Sequence, residues 1–182
     1  MTHTVGYLVG SLAKASINRK LATALARLAP DSLQLREIPI AELPLYSYDH
    51  DADYPAVARK FKESIEGVDA LLFVTPEYNR SIPGVLKNAI DWTSRPYGDN
   101  AWVRKPVFVI GASIGPIAAA VAQYDLKKVM TYLDAFVMGQ PEFYCGTAGS
   151  KFNDAGTLVD DDTEAHVTSA LSAFMAFIDQ VR

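Results

Sequence analysis

The chain has 182 residues, a net charge of -4 and a mean hydropathy of +0.06, and 49% of its residues are hydrophobic. This length suits one domain with one buried core, and this composition excludes disordered, collagen-like and coiled-coil proteins. An acidic chain without a run of Lys or Arg lacks the positive field that binds nucleic acid, so we expect no nucleic-acid partner.

The cysteine content and the ends of the chain indicate the cellular compartment. A single cysteine, Cys145, forms neither an internal disulfide nor a cysteine metal cluster, which is typical of the reducing cytoplasm. No basic segment precedes the first apolar run, and no apolar stretch reaches the ~20 residues that span a bilayer. We therefore expect neither secretion nor membrane insertion.

The predicted elements alternate between strand and helix along the chain. Short apolar runs predict five strands, at residues 5–10, 33–38, 70–75, 107–112 and 135–138. Apolar residues at helical spacing predict a helix after each strand, at residues 18–29, 57–65, 86–90, 122–133 and 167–181. The third and fourth strands are apolar throughout, which is typical of strands that are covered on both faces.

This alternation predicts an α/β fold with a parallel sheet and helices on both faces, since right-handed crossovers leave mainly doubly wound arrangements. With five strands, we predict the flavodoxin-like order 2-1-3-4-5. In such a sheet a ligand binds at the carboxyl ends of the strands, where the strand order reverses. The loops after the first, third and fourth strands, at residues 10–18, 76–83 and 113–116, are therefore the predicted ligand loops.

The first of these loops is rich in polar donors at the start of a helix. It contains one glycine, so it matches neither the dinucleotide motif nor the nucleoside-triphosphate motif. Ser11, Ser16 and Asn18, with the free N–H groups and the positive dipole end of the helix, favour a bound phosphomonoester. The alternative interpretation is that Ser16 or Asn18 only caps the helix.

The second and third loops suit a flat ring with a polar edge. Prolines at both ends stiffen the second loop, which presents backbone groups and Tyr78 at the edge of the sheet. Such a loop favours a flavin, and the alternative is a structural turn with Glu77 in solvent. In the third loop Ser113 is a polar group, and Gly115 permits close approach of a ligand.

Together the loops carry a family resemblance. The segments that carry it are residues 10–21, 75–92 (which open with Thr-Pro-Glu-Tyr-Asn and end with Asp-Trp), 111–115, 133–135 and 140–143. Over nearly its whole length the chain resembles the NADPH-dependent FMN reductase family, in particular its quinone and chromate reductases. The resemblance implies that residues 1–182 form a single flavodoxin-like FMN-binding domain.

By this resemblance the protein is an FMN-dependent NAD(P)H oxidoreductase that passes hydride through the flavin to quinones, azo dyes or metal oxyanions such as chromate. No residue is assigned as a catalytic acid or base, because the flavin carries the hydride. The alternative is a flavodoxin-like carrier of single electrons. The resemblance implies the following FMN-binding residues: Ser11, Ser16, Ile17, Asn18, Pro76, Glu77, Tyr78, Asn79, Ser113 and Gly115.

The chain departs from the family pattern beside the same loops. It has Ala13 where the family has arginine and Pro116-Ile117 where the family has a glycine pair, and the arginine that is common near Val121 is missing. We expect these changes to alter FMN affinity or nicotinamide access and to leave the flavoenzyme functional.

The resemblance also implies a homodimer or homotetramer in which a neighbouring subunit completes the pocket. Trp92, Tyr97 and Trp102 are candidate interface residues, since large aromatic side chains are enriched at interface centres. The alternative is that these side chains pack internally over the edge of the sheet.

No metal site is predicted. The three histidines lie far apart in the sequence without ligand spacing. Residues 160–162 are three aspartates that lack the calcium-loop pattern, and they are better explained as negative charge at the start of the last helix. Cys145 is expected to be a packed thiol.

Overall fold

The computed structural model describes residues 1–182 as six strands and five helices. The strands are β1 (His3–Val9), β2 (Leu33–Glu37), β3 (Ala70–Val74), β4 (Pro106–Ala112), β5 (Phe136–Val137) and β6 (Tyr144–Cys145). The helices are α1 (Ile17–Leu28), α2 (Ala56–Glu66), α3 (Gly84–Thr93), α4 (Ala120–Tyr132) and α5 (Asp161–Val181). All five predicted strands and all five predicted helices are present, and only their ends differ.

The sheet has the predicted strand order, β2-β1-β3-β4-β5, and every pair is parallel. The strand β6 was not predicted. It pairs with the end of β4, at Gly111 and Ala112, because β5 pairs only with the first two residues of β4 and leaves the rest of that edge open. The carboxyl end of β4 therefore has its own short neighbour beside the predicted ligand loops.

The core consists of two hydrophobic clusters, one on each face of the sheet. One cluster packs β1, β3 and β4 against α1 and α5, and the other packs the same strands against α2, α3 and α4. Every residue of β3 and β4 is buried, as their uninterrupted apolar runs predict. These two central strands give the loops at their carboxyl ends a rigid base.

Two of the three aromatic residues predicted at a subunit interface lie in the core instead. Trp92 and Trp102 are fully buried. The indole N–H of Trp92 donates to the carbonyl oxygen of Pro44 at 2.7 Å, and its ring packs edge-to-face against Tyr46. Only Tyr97, which is 91% exposed, is left on the surface, so the alternative of internal packing is correct for both tryptophans.

The helix α5 begins as the run of aspartates predicts. Asp160 is its N-cap and accepts the backbone N–H of Thr163 at 2.9 Å, and three further acidic residues lie in the first turn, where the helix dipole favours them. None of the helices combines the length and the hydropathy that crossing a bilayer requires.

Candidate functional site

The three predicted ligand loops meet at the carboxyl edge of the sheet. We call them loop 1 (residues 10–16), loop 2 (75–83) and loop 3 (113–119). Two glycines let them approach closely: a Cβ on Gly10 would lie 3.2 Å from Cδ of Pro76, and a Cβ on Gly111 would lie 2.3 Å from the carbonyl oxygen of Thr75. A side chain at either glycine would push the loops apart.

Loop 1 presents backbone N–H groups without partners at the start of α1. Ser16 is the N-cap, and its hydroxyl accepts the N–H of Arg19 at 3.3 Å, as the capping interpretation predicts. The N–H groups of residues 11, 12, 14, 15, 17 and 18 have no acceptor within the chain. A cluster of donors at a positive helix end is suited to an anion such as a phosphate.

Asn18 is placed at this loop, but its side chain is turned away from it. The side chain is buried, its Nδ2 donates to the carbonyl oxygen of Ala112 at 3.0 Å, and its Oδ1 accepts the N–H of Ala112 at 2.9 Å. The amide therefore braces α1 against the end of β4. What Asn18 offers to loop 1 is its backbone N–H.

Loop 2 contains a tight reverse turn. The N–H of Tyr78 donates to the carbonyl oxygen of Ser81 at 3.2 Å, and the N–H of Ser81 donates back at 3.0 Å. The two residues between them, Asn79 and Arg80, have φ of 50° and 62°, as two-residue hairpin turns require. The turn holds Tyr78 half-exposed at the edge of the sheet.

Glu77 fastens loop 2 to α4. One carboxylate oxygen accepts the N–H of Val121 at 3.0 Å and of Ala122 at 3.2 Å, and the other accepts from Arg80 at 2.7 Å. The side chain of Glu77 is only 10% exposed, so the alternative interpretation, in which it lies in solvent, is wrong. Because α4 has no side-chain cap of its own, Glu77 supplies its first-turn acceptor from another loop.

Loop 3 forms the other wall of a cleft. The segment that follows β5 anchors it: the N–H of Ser113 donates to Cys145 and the carbonyl oxygen of Ser113 accepts from Ala148, both at 3.0 Å. The hydroxyl of Ser113 accepts the N–H of Gly115 at 3.1 Å. Residues 77, 79 and 80 of loop 2 and residues 113–117 and 119 of loop 3 line a cleft of about 400 Å³. Its outer rim carries Ile114, which is 77% exposed.

Comparisons with known proteins show the family of the chain. The model of the NADPH-dependent FMN reductase family matches residues 3–150 of the chain. The chain belongs to this family.

Several FMN reductases and quinone reductases resemble it over nearly their whole length. The chain is 46% identical to a 2-hydroxy-1,4-benzoquinone reductase of a Burkholderia species, which covers 98% of this chain and 97% of that protein. It is 41% identical to a quinone reductase of Escherichia coli K12, with coverage of 96% and 95%. The solved structure of FerB, a flavoenzyme NAD(P)H:(acceptor) oxidoreductase from Paracoccus denitrificans, is 41% identical with a TM-score of 0.92, and 98% of each chain is covered.

The residues of this FMN reductase fit its cofactor. Loop 1 offers a phosphate its unpartnered N–H groups, and the cleft between loops 2 and 3 has room and polar backbone edges for a planar ring. Family membership gives the cofactor as FMN and the co-substrate as NAD(P)H. The ten predicted site residues all lie on these three loops and the first turn of α1.

The end of loop 3 has an unusual backbone. Left-handed backbone occurs at Ala118 and Ala119, with φ of 58° and 61°, and not at Pro116 and Ile117. Both alanines are buried. A left-handed conformation costs a residue with a Cβ about 1–2 kcal/mol, so this FMN reductase holds strain at the end of loop 3.

Sequence reasoning did not find the residues that anchor loop 3. Phe143, Cys145 and Gln123 support the loop from behind, and none belongs to a motif with a recognisable chemistry. The predicted role of Cys145 as a packed thiol is correct, since it is buried and burial raises the pKa of its thiol. No sequence pattern indicates that Cys145 also anchors loop 3, because it does so only through its backbone carbonyl oxygen, which accepts the N–H of Ser113.

Proposed function

We propose that this FMN reductase is a quinone reductase that oxidises NAD(P)H and reduces quinones or related small acceptors, including azo dyes and metal oxyanions such as chromate. Relatives named as quinone reductases, at 41–46% identity, support this acceptor class. The observation that carries the proposal is the cluster of unpartnered N–H groups in loop 1, beside an open cleft that can take a ring.

In this proposal loop 1 holds the phosphate of FMN. The hydroxyls of Ser11 and Ser16 and the N–H groups of Ile17 and Asn18 donate to it. Each hydrogen bond to a charged group contributes about 1.5–3 kcal/mol and the helix dipole about 0.3–1 kcal/mol, so neutral donors suffice where the family has arginine and this chain has Ala13.

Loops 2 and 3 hold the ring. In this proposal Pro76, Glu77, Tyr78 and Asn79 hold one side of the ring, and Ser113 with Gly115 holds the other. Bound FMN supplies the hydride chemistry, which the protein's residues do not. The task of these residues is to orient the ring and to leave one face open, and the bonds of Glu77 to α4 keep the two walls at a fixed separation.

One open face accommodates one planar partner at a time. We therefore propose that the oxidised nicotinamide leaves before the quinone enters, which gives ping-pong kinetics. Double-reciprocal plots at several fixed quinone concentrations should be parallel. Intersecting plots together with a demonstrated ternary complex would count against a shared face.

The test of the function uses the purified chain. Flavin released by denaturation should be FMN and not FAD, and the protein should oxidise NAD(P)H when a quinone is present. Replacing Ser16 with Ala should weaken FMN binding about tenfold, since one donor to a charged group is lost. No flavin after reconstitution refutes the proposal, and so does bound FMN without nicotinamide turnover.

We further propose that residues 1–182 act as one FMN-binding domain in the cytoplasm, assembled as a homodimer or homotetramer. Both hydrophobic clusters share the same sheet, which supports a single domain. The lone buried thiol supports a reducing compartment. Exposed apolar side chains around the cleft, Ile114 and Ile117 among them, support a partner subunit at that rim.

A further inference from the structure

A glutamine lies directly behind loop 3. Gln123 is in the first turns of α4 and is fully buried. Its Nε2 donates to the carbonyl oxygen of Ala118 at 3.3 Å and to that of Phe143 at 3.1 Å. Neither carbonyl has another donor within the chain, so this one side-chain amide joins the end of loop 3 to the segment that carries β6.

The join is made where the backbone is strained. Ala118 and Ala119 are both left-handed. Ala118 precedes the helix, whose first bond runs from the N–H of Gln123 to the carbonyl oxygen of Ala119, so the carbonyl of Ala118 receives no helical N–H. The side chain of Gln123 supplies that carbonyl with a donor. Gly111 makes room for it, since a Cβ there would lie 3.3 Å from Nε2 of Gln123.

The amide also leaves a group unsatisfied. Oε1 of Gln123 is buried and has no hydrogen-bond partner, which ordinarily disfavours a buried acceptor. Exchanging the oxygen and the nitrogen would aim the oxygen at two carbonyl oxygens, so the orientation is fixed by its two acceptors. A fully buried amide that leaves its acceptor unsatisfied and spends its donors on two loop carbonyls, at the back of a strained loop, indicates a positioning task.

We propose that Gln123 is the positioning residue of the FMN site: its amide holds residues 113–119 in the conformation that forms the ring-side wall of the cleft. The inference rests on the proposed function, because the ligand of that wall is the flavin ring. Gln123 acts through loop 3 and does not itself touch the cleft, whose lining does not include it.

The first test replaces Gln123 with Met, which has similar length and no donor. FMN affinity, measured by fluorescence quenching on reconstitution, should fall at least tenfold. The matched control is Thr93→Val, which removes another fully buried donor, in α3 and away from the three loops. This control should bind FMN within twofold of the unchanged protein, and an equally small change for Gln123→Met overturns the proposal.

A second variant, Gln123→Glu, tests the proposal even if Gln123→Met does not fold. In Gln123→Glu a carboxylate faces two carbonyl oxygens, whereas its protonated form donates to one of them. The ratio of FMN affinity in this variant to that of the unchanged protein should therefore rise as the pH falls from 8 to 5.5. The nearby charged groups Glu77, Lys127 and Glu142 are present in both proteins and cancel in the ratio. A ratio that is flat and stays within twofold of one contradicts the proposal.

Hydrogen exchange separates this proposal from the function on which it rests. In the flavin-free protein, Gln123→Met should speed exchange of the amides of residues 113–120 and leave those of residues 11–18 unchanged. If the unchanged protein binds no FMN, the proposed function fails, but the exchange result still decides whether Gln123 holds loop 3. Equal exchange in both proteins refutes the positioning role.

Discussion

Asn18 shows how one residue can serve a ligand loop without pointing at the ligand. Both polar atoms of its side chain bond to Ala112, while its backbone N–H belongs to the donors of loop 1. Glu77 behaves similarly, since its carboxylate is used by α4 and Arg80. Both residues set the geometry of the loops through contacts that the sequence pattern does not reveal.

The brace formed by Asn18 should be visible in stability. Replacing Asn18 with Ala leaves the N–H and the carbonyl of Ala112 buried without partners, and we expect the free energy of unfolding to fall by about 2–4 kcal/mol. The control is Asn88→Ala, which removes two amide bonds, to Tyr46 and Pro44, at a more exposed site and should cost about 1 kcal/mol. Urea unfolding of the flavin-free protein measures the loss of stability in both variants. Equal losses would show that the burial of Asn18 does not increase the contribution of its two bonds.

Asp160 should make stability depend on pH. Hydrogen bonds from the Thr163 side chain and from Lys151 lower its pKa to about 2. A lowered carboxyl pKa stabilises the folded state above the ordinary value near 3.8, and this contribution is lost as the pH falls toward 2. Asp160→Ala should therefore lower the urea midpoint at pH 7, with a gap to the unchanged protein that closes between pH 4 and pH 2.

The control for this experiment lies one residue further along. Asp161 is in the first turn of α5 and has no hydrogen-bond partner. Asp161→Ala should change the midpoint little at either pH. A gap for Asp160→Ala that persists at pH 2 would show that the contribution is packing and not ionisation.

Helix α4 illustrates what sequence periodicity can and cannot provide at the level of an element. The apolar spacing of residues 122–133 predicts the helix and its buried face, and Ala122 and Leu126 are indeed buried. The start of the helix could not be predicted, because its cap is Glu77 from another loop and its first turn is preceded by two left-handed alanines.

The strain at the start of α4 should appear when a branched side chain is introduced. Ala118→Val places a β-branched residue at φ 58°, and we expect it to lower the free energy of unfolding by about 2 kcal/mol. Ala120→Val, at the first residue of the helix, should cost only about 0.5 kcal/mol. Thermal unfolding measures the stability of both variants. Similar losses of unfolding free energy in the two would mean that the left-handed backbone at Ala118 is not the cause of the destabilisation.

At the level of the whole molecule, the sequence predicted the sheet and its order because the buried strands are long apolar runs. The strand β6 was not predicted, since a strand of two residues is too short to show a periodic pattern. The ligand loops were found from topology and resemblance, whereas the contacts that fix them join residues far apart in the chain, such as Gln123 with Phe143. Such contacts depend on the completed fold and leave no local pattern.

The oligomeric state remains a prediction for the assembled protein. With Trp92 and Trp102 in the core, the exposed apolar rim of the cleft, at Ile114 and Ile117, is the surface that a second subunit would cover. Sedimentation at micromolar concentration should give a dimer or tetramer, with activity that follows dimer formation. A fully active species near 20 kDa would refute the prediction.

The brace between Asn18 and Ala112 also bears on the synthesis of the protein. The two residues are 94 positions apart, and a ribosome adds roughly 5–20 residues per second, so roughly 5–19 seconds separate their appearance. The whole of loop 1 emerges early and α1 can pack on β1, yet the bonds of Asn18 cannot form until β4 has followed. The nascent chain is therefore expected to take up its cofactor only after more than half of it has been translated.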